Sequence, residues 1–368
     1  MMNVPFVDLG AQYRSIKSKI DRAVQNVIDE TAFIQGNYVQ TFEREFAKAN
    51  NVSHCISCAN GTDAIYIALK ALGIGPGDEV ITVANTWIST AETITQTGAK
   101  VVFTDIDKSF YTIDVSKIEA KITSRTKAII PVHLFGQPAD MDEIVRICDA
   151  YNLFLIEDCA QSHMAEWKGQ KVGSFGAVGT FSFFPGKNLG AYGDAGGIIT
   201  NDDELAQKMR MYANHGSLIK HQHKIEGINS RMDGLQAAIL SVKLPYLHDW
   251  SNSRLQAAKE YNEKLGEIPG VATPEIHENV KHVFHLYVVR VKSRGKLQDF
   301  LKEKNISTGI HYPCPLPYVE AYSYLGHTAD DFPVAYSFKD EILSLPIFPE
   351  ITTEQINYVV ENIKEFKS

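Results

Sequence analysis

One lysine sits in an uncommon setting. The stretch Phe183-Phe184-Pro185-Gly186-Lys187-Asn188-Leu189-Gly190 places a single ammonium group among aromatic, proline and glycine residues. Apolar surroundings disfavour the charged form of a lysine and lower its pKa. The free amine is then a nucleophile able to form a Schiff base with a carbonyl. The blander reading is a surface-loop lysine. Upstream, the apolar run Leu153-Phe154-Leu155-Ile156 leads straight into Glu157-Asp158-Cys159-Ala160-Gln161. An acid at a strand end can ligate a metal, act as a base or partner a cationic heterocycle. It can equally cap the next turn, a position Asp favours. A third stretch, Asn60-Gly61-Thr62-Asp63, lies between a strand-like and a helix-like segment. Small residues and a hydroxyl at a helix start suit a phosphate, because free N–H groups and the positive dipole end face it. A plain capping turn has the same residues.

Two other nucleotide signatures fail. Gly186-Lys187 is followed by Asn, and no glycine stands five residues before Gly186, so there is no P-loop. Gly73-Ile74-Gly75-Pro76-Gly77 follows a helical segment and lacks the dinucleotide spacing. A reactive lysine, a strand-end aspartate and a phosphate cradle are together what pyridoxal phosphate (PLP) requires. The lysine holds its aldehyde and the acid pairs with its pyridine nitrogen. Trp87, just after the strand at 79–83, offers a flat face to stack on such a ring.

The elements that must position these groups alternate between two periods. Apolar runs at 79–83, 100–103, 128–133 and 153–156 read as strands, and segments 63–72, 89–97 and 141–151 read as helices. Continuous apolar strands alternating with helices predict an α/β fold whose mostly parallel sheet is covered on both faces. Ligands in such sheets collect at the carboxyl ends of the strands. After Gly179 come short strands at 180–183 and 197–200 around a glycine-rich loop, then helices at 235–247 and 251–265. A strand at 284–291 and helices at 296–304 and 353–366 predict a second, smaller α/β domain. The expected division is 11–247 and 248–368, with residues 1–10 packing near the smaller part.

The chain of 368 residues carries 36 Lys+Arg against 44 Asp+Glu, a formal charge of −8. That balance excludes generic nucleic-acid affinity, which needs a basic surface. No run approaches the ~18 apolar residues of a membrane helix, and no basic-then-apolar signal opens the chain. A cytoplasmic protein is expected. Its five cysteines, an odd number, are read as reduced thiols. Cys55 and Cys58 alternate in a strand-like stretch and are expected in the core. His221-Gln222-His223 is the best second half for a zinc site, but a polar loop suits it better. No metal is expected.

In their order and spacing these motifs resemble the nucleotide-sugar aminotransferases of PLP fold type I, the DegT family. The resemblance runs from Pro5-Phe6-Val7-Asp8-Leu9 to Leu343-Ser344-Leu345-Pro346. Its strongest pieces are Glu157-Asp158-Cys159-Ala160-Gln161, Ser182-Phe183-Phe184-Pro185-Gly186-Lys187-Asn188 and Gly227-Ile228-Asn229-Ser230-Arg231-Met232-Asp233. It implies a large domain with a seven-stranded sheet and a small C-terminal α/β domain. It implies that Lys187 carries the cofactor and shuttles the proton, and that Asp158 keeps the pyridine nitrogen protonated. Gln161 would contact the ring hydroxyl, Gly61, Thr62 and Ser182 the phosphate, and Trp87 the ring face. Asn229 would reach the phosphate of a neighbouring subunit, which implies a homodimer with shared sites. The family's usual donor is L-glutamate, leaving 2-oxoglutarate and pyridoxamine phosphate; the acceptor is a nucleotide-linked keto sugar. Two phosphates on that sugar need local positive charge in an acidic protein, for which Lys220, Arg231 and His311 are candidates.

The form Asn229-Ser230-Arg231 resembles members acting on 3-keto sugars more than those acting on 4-keto sugars, where Tyr often follows the Asn. A dTDP-3-keto-6-deoxyhexose, giving a dTDP-3-amino-3,6-dideoxyhexose for a glycan such as an O-antigen or S-layer, is the first expectation. A UDP-3-keto sugar acid or a 4-keto sugar is the alternative. Pro315-Leu316-Pro317-Tyr318, where relatives often carry His, and Trp167, where Tyr is common, leave fine specificity open. His163 stays outside the catalytic set. Three rivals remain: a PLP-dependent sugar dehydratase, disfavoured because such members replace the lysine; a non-catalytic regulator; and a nicotinamide enzyme.

Overall fold

The structure, a computed structural model, describes residues 2–366. Seven strands build the main sheet: β1 (His54–Cys58), β2 (Glu79–Val83), β3 (Lys100–Thr104), β4 (Thr126–Ile130), β5 (Phe154–Asp158), β6 (Val178–Ser182) and β7 (Gly196–Thr200). Their order is β1-β7-β6-β5-β4-β2-β3. Only β7 runs antiparallel to its neighbours. β2 is buried at every position, as a strand covered on both faces must be. The expected mostly parallel, seven-stranded sheet is therefore present.

Covering helices are α1 (Leu9–Asp29), α2 (Asn37–Ala49), α3 (Gly61–Ala71), α4 (Ser89–Gln96), α5 (Met141–Tyr151), α6 (Asp203–Ala213) and α7 (Gly234–Lys243). Asn60 caps α3, its Oδ1 accepting from Asp63 N at 2.8 Å. Asp140 does the same for α5. These side chains satisfy N–H groups that a helix start leaves free. Helices α1 and α2, which sequence periodicity left unread, add an aromatic layer. Phe42 and Phe46 of α2 meet Phe181 and Phe183 edge-on at 5.1–5.3 Å, directly beneath the segment that leads to Lys187.

The predicted helices at 235–247 and 251–265 are nearly continuous. A single 3-10 turn, Leu244–Tyr246, with Pro245 at its start, separates α7 from α8 (Leu247–Leu265). Beyond it lies a three-stranded sheet of β8 (Val271–Ala272), β9 (Tyr287–Val291) and β10 (Ile342–Leu345). Helices α9 (Arg294–Glu303), α10 (Pro333–Phe338) and α11 (Thr353–Glu365) follow in the same part of the chain. Strand β9 begins three residues later than predicted because Phe284 takes a left-handed φ of 41°. The N-terminal segment joins this unit: Val4 N donates to Asn305 O and Ser307 N donates to Val4 O, both at 2.9 Å.

Cys55 and Cys58 are buried on β1 as free thiols. His223 lies in an exposed hairpin, and His221 is exposed at its turn. Among the described residues no helix is long and apolar enough to cross a membrane.

Candidate active site

A cavity of about 540 Å³ opens at the carboxyl ends of the parallel strands, between the main sheet and the smaller unit. Strand β1 delivers Gly61 and Thr62 at the start of α3, β2 leads to Trp87, β5 ends on Asp158, and β6 ends on Ser182. Lys187 follows five residues after β6, and His311 comes from the smaller unit. The start of α3 approaches the end of β6 so closely that a Cβ on Gly61 would sit 2.6 Å from Ser182 Cβ. That approach requires a glycine. Thr62 Oγ1 and Ser89 Oγ share a hydrogen bond of 2.7 Å, so hydroxyls from α3 and α4 sit side by side at the helix starts.

Asp158 is buried but supported. Its Oδ2 accepts from Thr90 Oγ1 at 2.8 Å and its Oδ1 from Ala160 N at 3.1 Å. Burial raises its pKa, and these bonds together with the charge of Lys187 oppose that rise. Burial lowers Lys187 to about 8, with Asp158 pulling it back up. A half-buried amine poised in this way still carries its proton for the most part at neutral pH, and its free form takes over as pH rises through about 8. Gln161 is fixed at both ends, its Oε1 accepting from Phe135 N at 2.7 Å and its Nε2 donating to Tyr312 OH at 2.9 Å. Trp87 is 59% exposed and meets the Tyr312 ring at 5.9 Å with the two planes tilted by 44°, and both rings line the cavity. His311 is stacked on Phe6 at 5.8 Å and lies 2.8 Å from Ser344 Oγ. Burial and nearby Lys187 hold it down to about 4, so it is neutral and contributes no positive charge. His163 is likewise neutral, lowered to about 3 by burial against Phe181 and Phe183.

Three expected residues lie outside this cavity of their own chain. Asn229 is exposed and bridged to Asn214. Lys220 is exposed at the hairpin turn. Arg231 donates from Nη1 to Asn214 Oδ1 at 3.2 Å and lines a separate cleft beside α2 and α6. Sequence reasoning in turn missed Thr90, Ser89 and Tyr312. Tyr312 stands 151 positions from the Gln161 it touches, so no local signal links them.

The donor set fits PLP. An amine with a lowered pKa, a buried carboxylate and a glycine-lined helix start with adjacent hydroxyls face one cavity. A metal fits less well. Among the described residues, His133, Glu157 and Cys159 bring ligand atoms within 4.8 Å of one another. Yet His133 Nδ1 accepts from Ala139 N, its Nε2 lies 3.1 Å from Glu157 Oε2, and Glu157 accepts from Gly173, Phe175 and Gly176 N–H groups. These lone pairs are already used to hold the loop after β5.

Residues 14–364 match the DegT/DnrJ/EryC1/StrS aminotransferase family. The chain belongs to that family. This DegT/DnrJ/EryC1/StrS aminotransferase is 49% identical over 367 residues, 99% of each chain, to a protein of Geobacillus stearothermophilus named a pleiotropic regulatory protein. It is 44% identical over 363 residues, 99% of each chain, to the dTDP-3-amino-3,6-dideoxy-alpha-D-galactopyranose transaminase of Aneurinibacillus thermoaerophilus. It is 43% identical over 359 residues to the UDP-2-acetamido-2-deoxy-3-oxo-D-glucuronate aminotransferase of Pseudomonas aeruginosa, covering 97% of this chain and 98% of that one. The solved structure of DesV from S. venezuelae superposes with a TM-score of 0.97 at 39% identity, covering 99% of this chain and 98% of the other. This DegT/DnrJ/EryC1/StrS aminotransferase thus has PLP fold type I, and its cofactor-type donor set sits at the carboxyl ends of that fold's sheet.

Proposed function

We propose that the protein is a PLP-dependent enzyme that moves the amino group of L-glutamate onto a nucleotide-linked keto sugar. The preferred acceptor in this reading is a dTDP-3-keto-6-deoxyhexose, and the product a dTDP-3-amino-3,6-dideoxyhexose. The observation that carries the reaction class is the meeting of Lys187, Asp158 and the close Gly61–Ser182 approach on one cavity. When bound, PLP supplies an aldehyde and an electron sink. The chain's own groups do the rest. Asp158, held by Thr90 and Ala160, keeps a proton on the ring nitrogen. Gly61, Thr62 and Ser182 anchor the phosphate at the start of α3. Trp87 covers the ring face and sheds water from it. Gln161, fixed by Phe135 and Tyr312, addresses the ring hydroxyl. Lys187 Nζ, its pKa brought near the working pH, removes a proton from the donor's α-carbon and later returns one to the acceptor carbon.

The 3-keto reading draws on Asn229-Ser230-Arg231 and on the Aneurinibacillus relative; the Pseudomonas relative favours a UDP-linked 3-keto sugar acid as the second reading. The regulatory name of the Geobacillus relative is weighed against a complete lysine, aspartate and phosphate cradle, a set a regulator has no use for. We further propose a homodimer in which Asn229, Lys220 and Arg231 serve the partner's cavity. The exposed apolar residues Phe33, Ile34 and Ile219 are of the kind that a second copy would cover. Residues 11–247 are assigned as the cofactor domain and 248–368 as the small domain, in a cytoplasmic enzyme.

Purified protein loaded with PLP is expected to absorb in the visible, and glutamate to bleach that band. Lys187→Ala abolishes turnover with every acceptor. Side-by-side assays with dTDP- and UDP-linked 3-keto sugars decide the acceptor. A protein that stays colourless with added PLP overturns the reading.

A further inference from the structure

The turn that carries Lys187 makes few bonds of its own. Lys187 N donates to Phe184 O and Ala191 N to Phe183 O, each at 2.8 Å. Gly190 closes the turn so tightly that a Cβ there would lie 2.3 Å from Pro185 O and 2.9 Å from Phe184 O. The remaining support comes from outside, on two sides. From the smaller unit, Val283 O accepts from Asn188 Nδ2 at 2.9 Å, and His285 Nδ1 lies 3.2 Å from Asn188 Oδ1. On the opposite side stands α7.

Lys243, the last residue of α7, is fully buried. Its Nζ donates to Gly190 O at 2.7 Å and lies 4.2 Å from the Tyr192 ring centroid. Gln236 stands two turns earlier on the same helix, and its Oε1 accepts from Tyr192 N at 2.9 Å. The two side chains therefore grip the turn's exit at alternate residues, one by a carbonyl and one by an N–H. A buried ammonium is costly unless it is well bonded. An apolar side chain of equal length would fill the same volume without that cost. What only the ammonium can do is bind Gly190 O and the Tyr192 ring face together, and both belong to the segment that sets the height and tilt of Lys187.

We propose that Lys243, assisted by Gln236, is a positioning residue for Lys187, holding the Lys187 turn in the one placement from which its amine reaches both the cofactor and the substrate carbon. The inference rests on the proposed function, because it assumes that Lys187 transfers the proton. Such a transfer is sensitive to displacements on the order of 1 Å, which cost up to about 100-fold in rate. It separates Lys243 from the general packing of α7, whose other buried residues are Gly234, Ala237, Ala238, Ile239 and Leu240.

The test uses PLP-loaded enzyme. Lys243→Met keeps length and apolar bulk and leaves Gly190 O without its donor. The rate of bleaching by saturating glutamate in a single turnover is expected to fall roughly 10- to 100-fold, while half-saturating glutamate stays unchanged. Before any substrate is added, the visible circular dichroism of the bound cofactor weakens, because its lysine link is no longer held at one angle. Gln236→Leu shows the same split more weakly, and it carries the test if Lys243→Met does not fold. Native rate and native dichroism in the soluble variants overturn the proposal. So does a loss confined to half-saturating glutamate. Wild-type protein that takes up no PLP overturns the proposed function, and this inference with it.

Discussion

Gly61→Ala is the sharpest probe of the phosphate cradle. The added methyl would sit 2.6 Å from Ser182 Cβ and 3.1 Å from Ser182 Cα. Carbon pairs prefer about 3.5–4.0 Å, so one segment must retreat by about 1 Å. Ser182 has little room to do so, because it is paired with Gly196 on β7. A Cβ on Gly196 would in turn lie 2.2 Å from Asn60 O. The three segments are thus mutually locked, and the strain falls on the start of α3. Overpacking of this kind costs about 1–3 kcal/mol, which lowers the Tm of a large domain by roughly 2 °C per kcal/mol. The same shift draws the first N–H groups of α3 away from the phosphate. Loss of one charge-assisted bond, about 1.5–3 kcal/mol, raises the Kd for PLP roughly 10- to 100-fold. Both quantities are measurable, by thermal unfolding of the apo-protein and by visible-absorbance titration with PLP. Gly295→Ala serves as control: nothing lies within 4 Å of its Cβ position and it sits in α9. Alanine there is neutral or slightly stabilising. If Gly61→Ala melts with the wild type and binds PLP with native affinity, the cradle has been assigned to the wrong place.

Two further outcomes follow from the site. Capture of PLP by apo-protein needs the free amine of Lys187, and a pKa lowered to about 8 means that the free form accumulates as pH rises through 8. The capture rate, followed by stopped-flow absorbance, should therefore climb to a plateau above pH 8; a rate still climbing at pH 10 would indicate an ordinary, exposed lysine. If Asn229 serves the partner's cavity, mixing Lys187→Ala with Asn229→Ala subunits regenerates some fully native sites. Activity well above that of either parent is the expected result, and none after complete subunit exchange refutes the shared site.

The residues that could do chemistry were legible because their signals are local. Lys187 among glycines and aromatics, Asp158 at the end of an apolar run, and Gly61-Thr62 before a helix each announce themselves within a few positions. The strands β2 to β5 were legible for the same reason, since continuous apolar runs have few other uses. Helices α1 and α2 went unread because what they bury is set by distant partners: α1 buries only Gln12, Ile16, Ile20 and Val27, and α2 buries an aromatic-lined face whose partners Phe181 and Phe183 are more than 130 positions away. Thr90 looked like one of several threonines in α4 until Asp158 arrived beside it. Lys220 and Arg231 were chosen for charge alone, and charge carries no address; both lie outside the cavity of their own chain.

The sequence by itself determined the kinds of group available and the period of the elements that carry them, since both are properties of neighbouring residues. Tertiary structure decided which groups meet. The strand order β1-β7-β6-β5-β4-β2-β3 sets the Gly61 turn against the end of β6, and the smaller unit places Tyr312 against Gln161. The exit of α7 likewise places Lys243 under the Lys187 turn. These pairings span tens to more than a hundred residues, and they exist because a twisted sheet brings the carboxyl ends of its strands to one edge, where sequence separation no longer matters.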